Sequence, residues 1–255
     1  MKRILSLLLV VLMVTAMLCA CGTNNETKPS TQGTEPTGTQ GTEPTGTQDT
    51  EPTETQPQGP TVVVLSDYFA DDSKWEDDGG YFDRDSEKIF FDNYAAGDYA
   101  AVRMNELFQD VTYKFNVTIN KLAEVSMEDW TWWDSELCVI ARSTLAASSW
   151  QDDGSQKGYT LTWWGDMSKV CIGRCGMDDA FGEFDANIGD GQAHEIEFTV
   201  VNNADGTVTL KLVLDGNVVA EVVDDGTKSK NERPTLYPDA GGITIRCKWL
   251  EAVIS

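Results

Sequence analysis

An all-β fold, an antiparallel β-sandwich, is what this sequence predicts for its folded part. From Thr61 onward, apolar or alternating runs of four to seven residues succeed one another, and no stretch holds a helical period over three turns. Asp205-Gly206 and Asp215-Gly216 separate three of these runs, and Asp-Gly is a favoured hairpin turn because both residues tolerate positive φ. Between Thr31 and Pro60 there is no aliphatic or aromatic side chain, so the foldable region is bounded on its N-terminal side.

The chain opens Met1-Lys2-Arg3 and then runs apolar from Ile4 to Leu18, interrupted only by Ser6 and Thr15. A basic head with an apolar core of this length makes a secretory signal and is short for a membrane span. Leu18-Cys19-Ala20-Cys21-Gly22 follows, and it resembles the lipobox of bacterial lipoproteins, in which a small residue precedes the cysteine that takes lipid. Ala20 is small and Leu18 is bulky, which favours Cys21 over Cys19. The resemblance implies that residues 1–20 are removed. It also implies that the exported chain is held on the outward side of the cell membrane by acyl chains such as palmitate on Cys21. Each buried CH₂ contributes about 0.8 kcal/mol to such an anchor.

Residues 21–60 then read as a lipid-anchored, Thr/Pro/Gly-rich disordered linker. Thr31–Gly38 and Thr39–Gly46 both spell TQGTEPTG, and Thr47–Glu54 varies the theme. Nothing here could be buried to offset the entropy of ordering, so the repeat is low complexity. Residues 22–60 span roughly 35 Å as a flexible coil and about 120 Å when extended by proline.

The domain proper is residues 61–255, long enough for one filled core. Its expected strands are Thr61–Leu65, Lys88–Phe91, Tyr99–Arg103, Tyr113–Ile119, Leu137–Arg142, Tyr159–Trp163 and Lys169–Gly173. His194–Val200, Thr207–Val213, Asn217–Val223 and Gly242–Arg246 complete the series. Tyr113–Ile119 alternates most cleanly, the mark of a strand with one buried face. Asp215-Gly216 joins two of these strands as a tight hairpin.

The formal charge is -23, and losing Lys2 and Arg3 with the signal leaves 17 basic against 42 acidic residues, or -25. Such a chain is unsuited to nucleic acid or to anionic lipid headgroups. Acidic pairs such as Asp77-Asp78, Asp152-Asp153, Asp178-Asp179 and Asp224-Asp225 leave structural calcium open, although none has the ligand spacing of a calcium loop. No other cofactor is implied. Cys138, Cys171, Cys175 and Cys247 remain in the mature domain. They suit either two disulfides, as export permits, or four buried thiols behaving as small apolar groups. Zinc is disfavoured, because Cys171 and Cys175 have no second close pair and the single histidine, His194, is distant in sequence.

A resemblance sharpens the fold. Asp190-Gly191-Gln192-Ala193-His194 with the strand to Val200, then Leu210–Gly216, Gly241–Ile245 and a closing Leu250–Ile254 follow a recognisable order. They resemble the C-terminal half of concanavalin A-like jelly rolls, the lectin/glucanase and laminin G-like superfamily. Leu137–Arg142 followed by Gly158-Tyr159, and Asp67-Tyr68-Phe69 with Trp75, resemble its earlier strands and the opening of its sugar-associated members. The similarity covers most of residues 62–255 and implies a jelly-roll β-sandwich. The superfold hosts enzymes, lectins and adhesion modules alike, so function must be argued from a site.

Glycoside hydrolases of this superfamily carry Glu-x-Asp-x-x-Glu on one strand, which sets two carboxyls about 5–5.5 Å apart. The nearest approach is Glu183-Phe184-Asp185-Ala186-Asn187-Ile188, which lacks the last acid and lies in a Gly-rich stretch that reads as a loop. Glu195 and Glu197 alternate on a strand without a third carboxylate. His194 has no serine or cysteine nucleophile signature beside it. A catalytic role is therefore not expected, and no catalytic residue is assigned.

Tryptophan is the feature that asks for a use. Trp130, Trp132 and Trp133 with Asp134 lie between two strands, and Trp150 lies in a polar loop. Flat aromatic faces beside a carboxylate suit a sugar, since ring C–H faces stack on indole and acids accept hydroxyls. Arg142 continues the face of Cys138 and Ile140; it either emerges at the strand end or stands on a concave sheet face beside a ligand. The reading is a cell-surface lipoprotein whose non-catalytic, lectin-like domain binds an oligo- or polysaccharide through Trp130, Trp132, Trp133, Trp150, Arg142 and Asp134. The alternatives are a glycoside hydrolase of the same fold and a protein-binding adhesion domain.

Overall fold

Alternation of apolar and polar side chains sorts this chain into two stacked sheets. The structure, a computed structural model, describes residues 59–78, 82–94, 99–123, 135–144, 156–175, 180–228 and 236–255. The expected signal, Cys21 and most of the linker lie outside the described residues, as do Trp130, Trp132, Trp133, Asp134 and Trp150.

The described strands are β1 (Thr61–Val64), β2 (Trp75–Asp78), β3 (Phe82–Arg84), β4 (Ile89–Asp92), β5 (Ala100–Phe108), β6 (Val111–Leu122), β7 (Glu136–Ser143) and β8 (Tyr159–Trp164). After them come β9 (Lys169–Arg174), β10 (Gly182–Asp185), β11 (Ala193–Asn202), β12 (Val208–Leu214), β13 (Asn217–Asp224), β14 (Gly241–Lys248) and β15 (Leu250–Ile254). Two short 3-10 helices, Leu65–Tyr68 and Asp72–Lys74, are the only helical turns among the described residues.

One sheet has eight strands in the order β13-β12-β11-β6-β15-β4-β3, with β1 lying parallel on β6; the other has seven, ordered β10-β9-β8-β7-β14-β5-β2. Every pairing except β1 with β6 is antiparallel. The chain changes sheet between β1 and β2, β2 and β3, β4 and β5, β5 and β6, β6 and β7, β10 and β11, β13 and β14, and β14 and β15. This is the jelly-roll β-sandwich that the sequence predicts.

The core lies between the sheets. The eight-stranded sheet contributes Tyr113, Phe115, Val117, Phe198, Leu210 and Leu212, while Lys114, Asn116, Glu197 and Lys211 point the other way. The seven-stranded sheet answers with Leu137, Val139, Leu161, Trp163, Ile243 and Ile245. Asp215 (φ 51°) and Gly216 (φ 75°) make the two-residue turn between β12 and β13, as the Asp-Gly signal predicts. Glu183-Phe184-Asp185 forms the edge strand β10 against β9 rather than a loop. Gly182 opens the strand, and Gly189 and Gly191 lie beyond it.

All four domain cysteines are free thiols. Strand order explains three of them. Cys138 and Cys171 flank Thr162 across β7, β8 and β9, so a full strand separates them, about 10 Å and beyond disulfide reach. Cys247 pairs with Leu137, the neighbour of Cys138, and so faces the opposite side of the sheet from Cys138. Burial pushes the Cys138 thiol up to about 11 and raises those of Cys175 and Cys247 as well, leaving little thiolate at neutral pH.

Candidate functional site

The outer face of the seven-stranded sheet is built from the alternate residues that the core does not use. Register places Glu136, Cys138 and Ile140 of β7 beside Trp164, Thr162 and Thr160 of β8, and beside Lys248, Arg246 and Thr244 of β14. Unlike the outer face of the other sheet, this one is polar and largely buried: Thr160, Thr162, Thr244, Glu136 and Arg246 all count among the buried residues.

Its most organised part surrounds Glu136. Oε1 accepts from Nη2 of Arg246 at 2.8 Å, while Oε2 accepts from Nε1 of Trp164 and from the hydroxyl of Tyr99, each at 3.2 Å. The Tyr99 ring lies 4.0 Å from the Arg246 guanidinium and 4.9 Å from the Lys248 ammonium. Burial, reinforced by the Glu136 charge, pushes the Tyr99 hydroxyl up to about 12, so it stays a donor. Trp164 holds its indole edge to Glu136 and remains 47% exposed. The result is one carboxylate and two cations framed by two aromatic rings, one of them open to solvent.

That set can bind, and among the described residues no second outer-face carboxylate stands near Glu136. Among the residues whose side chains are described, the other acids of this sheet's outer face are Glu183 and Asp185 on β10 and Glu76 on β2, and each of those strands is three places from β7. Three strand spacings come to about 14 Å, beyond the 5–5.5 Å of retaining and the 6.5–9.5 Å of inverting glycosidases. Glu183 is moreover paired with Lys169 at 2.8 Å. Among the described residues no three of His, Cys, Asp and Glu come together as a metal-ligand set.

Arg142, expected either at a strand end or beside a ligand, does not belong to this set. Its backbone takes φ 55°, an uncommon state for a branched-free long side chain, and this throws the residue out of register with Cys138 and Ile140. The guanidinium is buried, and its five N–H groups reach the carbonyls of Gln109, Tyr237 and Val200 and the side chains of Asn202 and Asp110. Five donors are all that an arginine has, so none is left for a ligand. A Cβ on residue 241 would collide with the Arg142 carbonyl, which is why the first residue of β14 is glycine.

His194 is structural too. Its ring bridges Asp215 at 2.8 Å and Asp190 at 2.9 Å, tying the β12–β13 turn to the approach of β11. Burial lowers its pKa, but hydrogen bonds to the accepting carboxylates of Asp215 and Asp190 outweigh that and raise it above the ordinary 6.5. Phe69 and Trp75 of the opening motif pack 5.8 Å apart in the core, and Trp75 donates to the Tyr68 carbonyl.

The expected ligand residues Trp130, Trp132, Trp133, Asp134 and Trp150 lie outside the described residues. The chain from 124 to 134 ends two residues before Glu136, whereas 145–155 connects the far end of β7 to the start of β8. Sequence reasoning overlooked Glu136, Tyr99, Trp164 and Arg246. The available signal was Trp163-Trp164 ending a strand: of two adjacent rings on a strand only one can enter the core.

No family model and no curated protein matches this chain. Among solved structures it is similar to the carbohydrate binding module CBM66 from Bacillus subtilis, at 13% identity and TM-score 0.49, covering 71% of this chain and 92% of that one. It is similar to the Emp46p carbohydrate recognition domain in its potassium-bound form, at 11% identity and TM-score 0.46, covering 71% and 85%. A third is the Bacillus licheniformis beta-glucanase, at 12% identity and TM-score 0.43, covering 71% and 88%. The jelly-roll assignment stands on the strand order itself.

Proposed function

We propose that this chain is a cell-surface lipoprotein whose jelly-roll domain binds carbohydrate without transforming it. The observation that carries the reading is Glu136 fixed between Tyr99 and the open ring of Trp164, opposite Lys248. An exposed indole face offers stacking to the C–H side of a sugar ring, and a carboxylate with an unused lone pair accepts its hydroxyls. Among the described residues the other outer-face acids stand three strands from Glu136, which favours binding over hydrolysis. The lipobox at Cys21 and the Thr/Pro/Gly-rich linker support display of the domain beyond the lipid surface, and segment 124–134, with three of the expected tryptophans, adjoins Glu136 in sequence.

A glycan array probed with the purified full chain tests the reading. Binding should quench or shift tryptophan fluorescence, and Trp164→Ala should weaken it about five- to thirtyfold, the worth of one aromatic face at roughly 1–2 kcal/mol. The reading fails if no saccharide binds, or if Trp164→Ala binds as the parent does.

A further inference from the structure

Resting on that reading of the Tyr99–Trp164 face, we infer that the saccharide it takes is acidic, its carboxylate paired with Lys248. The charges of the cluster do not cancel. Arg246 is committed to Glu136 at 2.8 Å and to the Tyr99 ring, so these two groups form a neutral unit. Lys248 is the Cα partner of Glu136 on the adjoining strand, yet its ammonium is engaged only with the Tyr99 ring, 4.9 Å away. Among the described residues no carboxylate stands within ion-pair distance of it.

Among the described residues this leaves one positive charge in excess on a partly buried surface of a chain whose formal charge is -23. The ammonium is held by a ring, a contact that keeps it in place while leaving its N–H donors unspent. The same row of the sheet runs Trp164, Glu136, Lys248, so a six-membered ring stacked on Trp164 meets the carboxylate with its hydroxyls and the ammonium with an acidic substituent. A small inorganic anion would satisfy Lys248 but has no use for the indole.

The test compares two probes on the full chain by calorimetry: an oligomer of a uronic acid, and the same oligomer with its carboxyls reduced to hydroxymethyl groups. The parent should prefer the acid about tenfold, the worth of one hydrogen bond to a charged group. Lys248→Gln should reduce that preference to about twofold or less, whatever it does to the reduced oligomer, and Trp164→Ala should weaken both. The inference is overturned if the parent binds the two alike, or if the preference survives in Lys248→Gln. When the two are bound alike and both through Trp164, the saccharide reading stands and only the acidic class falls. When neither oligomer binds, and the array shows no glycan either, both ideas fall together.

Discussion

Trp163 and Trp164 are sequence neighbours that β8 sends to opposite sides of the seven-stranded sheet. Trp163 is fully buried and donates its indole N–H to the Ala186 carbonyl at 2.8 Å, inside the sandwich. Trp164 donates to Glu136 at 3.2 Å on the outer face. Alanine at the two positions should therefore do opposite things. Trp163→Ala should cost about 3–5 kcal/mol of stability in urea unfolding, from lost burial and a cavity. Trp164→Ala should cost less than about 1 kcal/mol, as surface substitutions do, and should show its effect in binding. Equal losses at both sites would mean that the outer-face ring is core as well.

Arg142 should behave as a structural clamp and not as a ligand. It joins the β5–β6 turn at Gln109 and Asp110, the end of β11 at Val200 and Asn202, and the stretch at Tyr237. Arg142→Lys keeps the charge but offers three donors in place of a five-donor fork, leaving buried carbonyls unpaired. A loss of about 3–5 kcal/mol in chemical unfolding is expected, with glycan affinity per folded molecule unchanged. A variant of parental stability that binds more weakly would return Arg142 to the site.

The pair Arg174–Asp224 predicts a pH dependence. The two meet at 3.2 Å with side chains 2% and 0% exposed, linking the end of β9 to the end of β13 across the two sheets. Burial raises the Asp224 carboxyl above its ordinary 3.8 despite Arg174. Removing the cation in Arg174→Met raises it further. A carboxyl whose folded pKa exceeds its unfolded one favours folding while protonated, and that contribution is lost as pH rises through the folded value. Arg174→Met should accordingly be mildest near about pH 4 and cost about 3–5 kcal/mol at neutral pH. Arg174→Met with Asp224→Leu should recover most of that loss and flatten the dependence. A single variant whose deficit is the same at both pH values would contradict this account.

The anchor has its own test. Cys21→Ala should release the protein from membranes or leave it unprocessed, as read by fractionation and intact mass. Membrane retention at the normal mature mass would exclude lipidation at Cys21.

The expected strands were legible wherever one face is buried and the other wet. Tyr113–Ile119 announces β6, and Thr207–Val213 announces β12, because period-two alternation survives in the letters. The short strands β2 and β3 were not legible: Trp75-Glu76-Asp77-Asp78 is acidic, and it becomes a strand only by pairing with β5. The same limit applied at the site. Glu136 gives no sign in sequence of meeting Arg246, which lies 110 residues away. Strand parity assigns Arg142 to the face of Ile140, and the local φ of 55° that turns it away leaves no mark in the sequence.

The unequal solvation of the two sheets dictates where this domain can drift over generations. Along β12 and β15 every second position faces outward, so half the letters are free to wander while the fold persists. Along β7 all eight positions are buried, and along β14 seven of eight, so neutral substitutions there are blocked from both sides. Descendants of a common ancestor would diverge fastest over the eight-stranded sheet and keep their kinship longest in Glu136–Ser143 and Gly241–Lys248. Two short words in the middle of the seven-stranded sheet are where ancestry would be read.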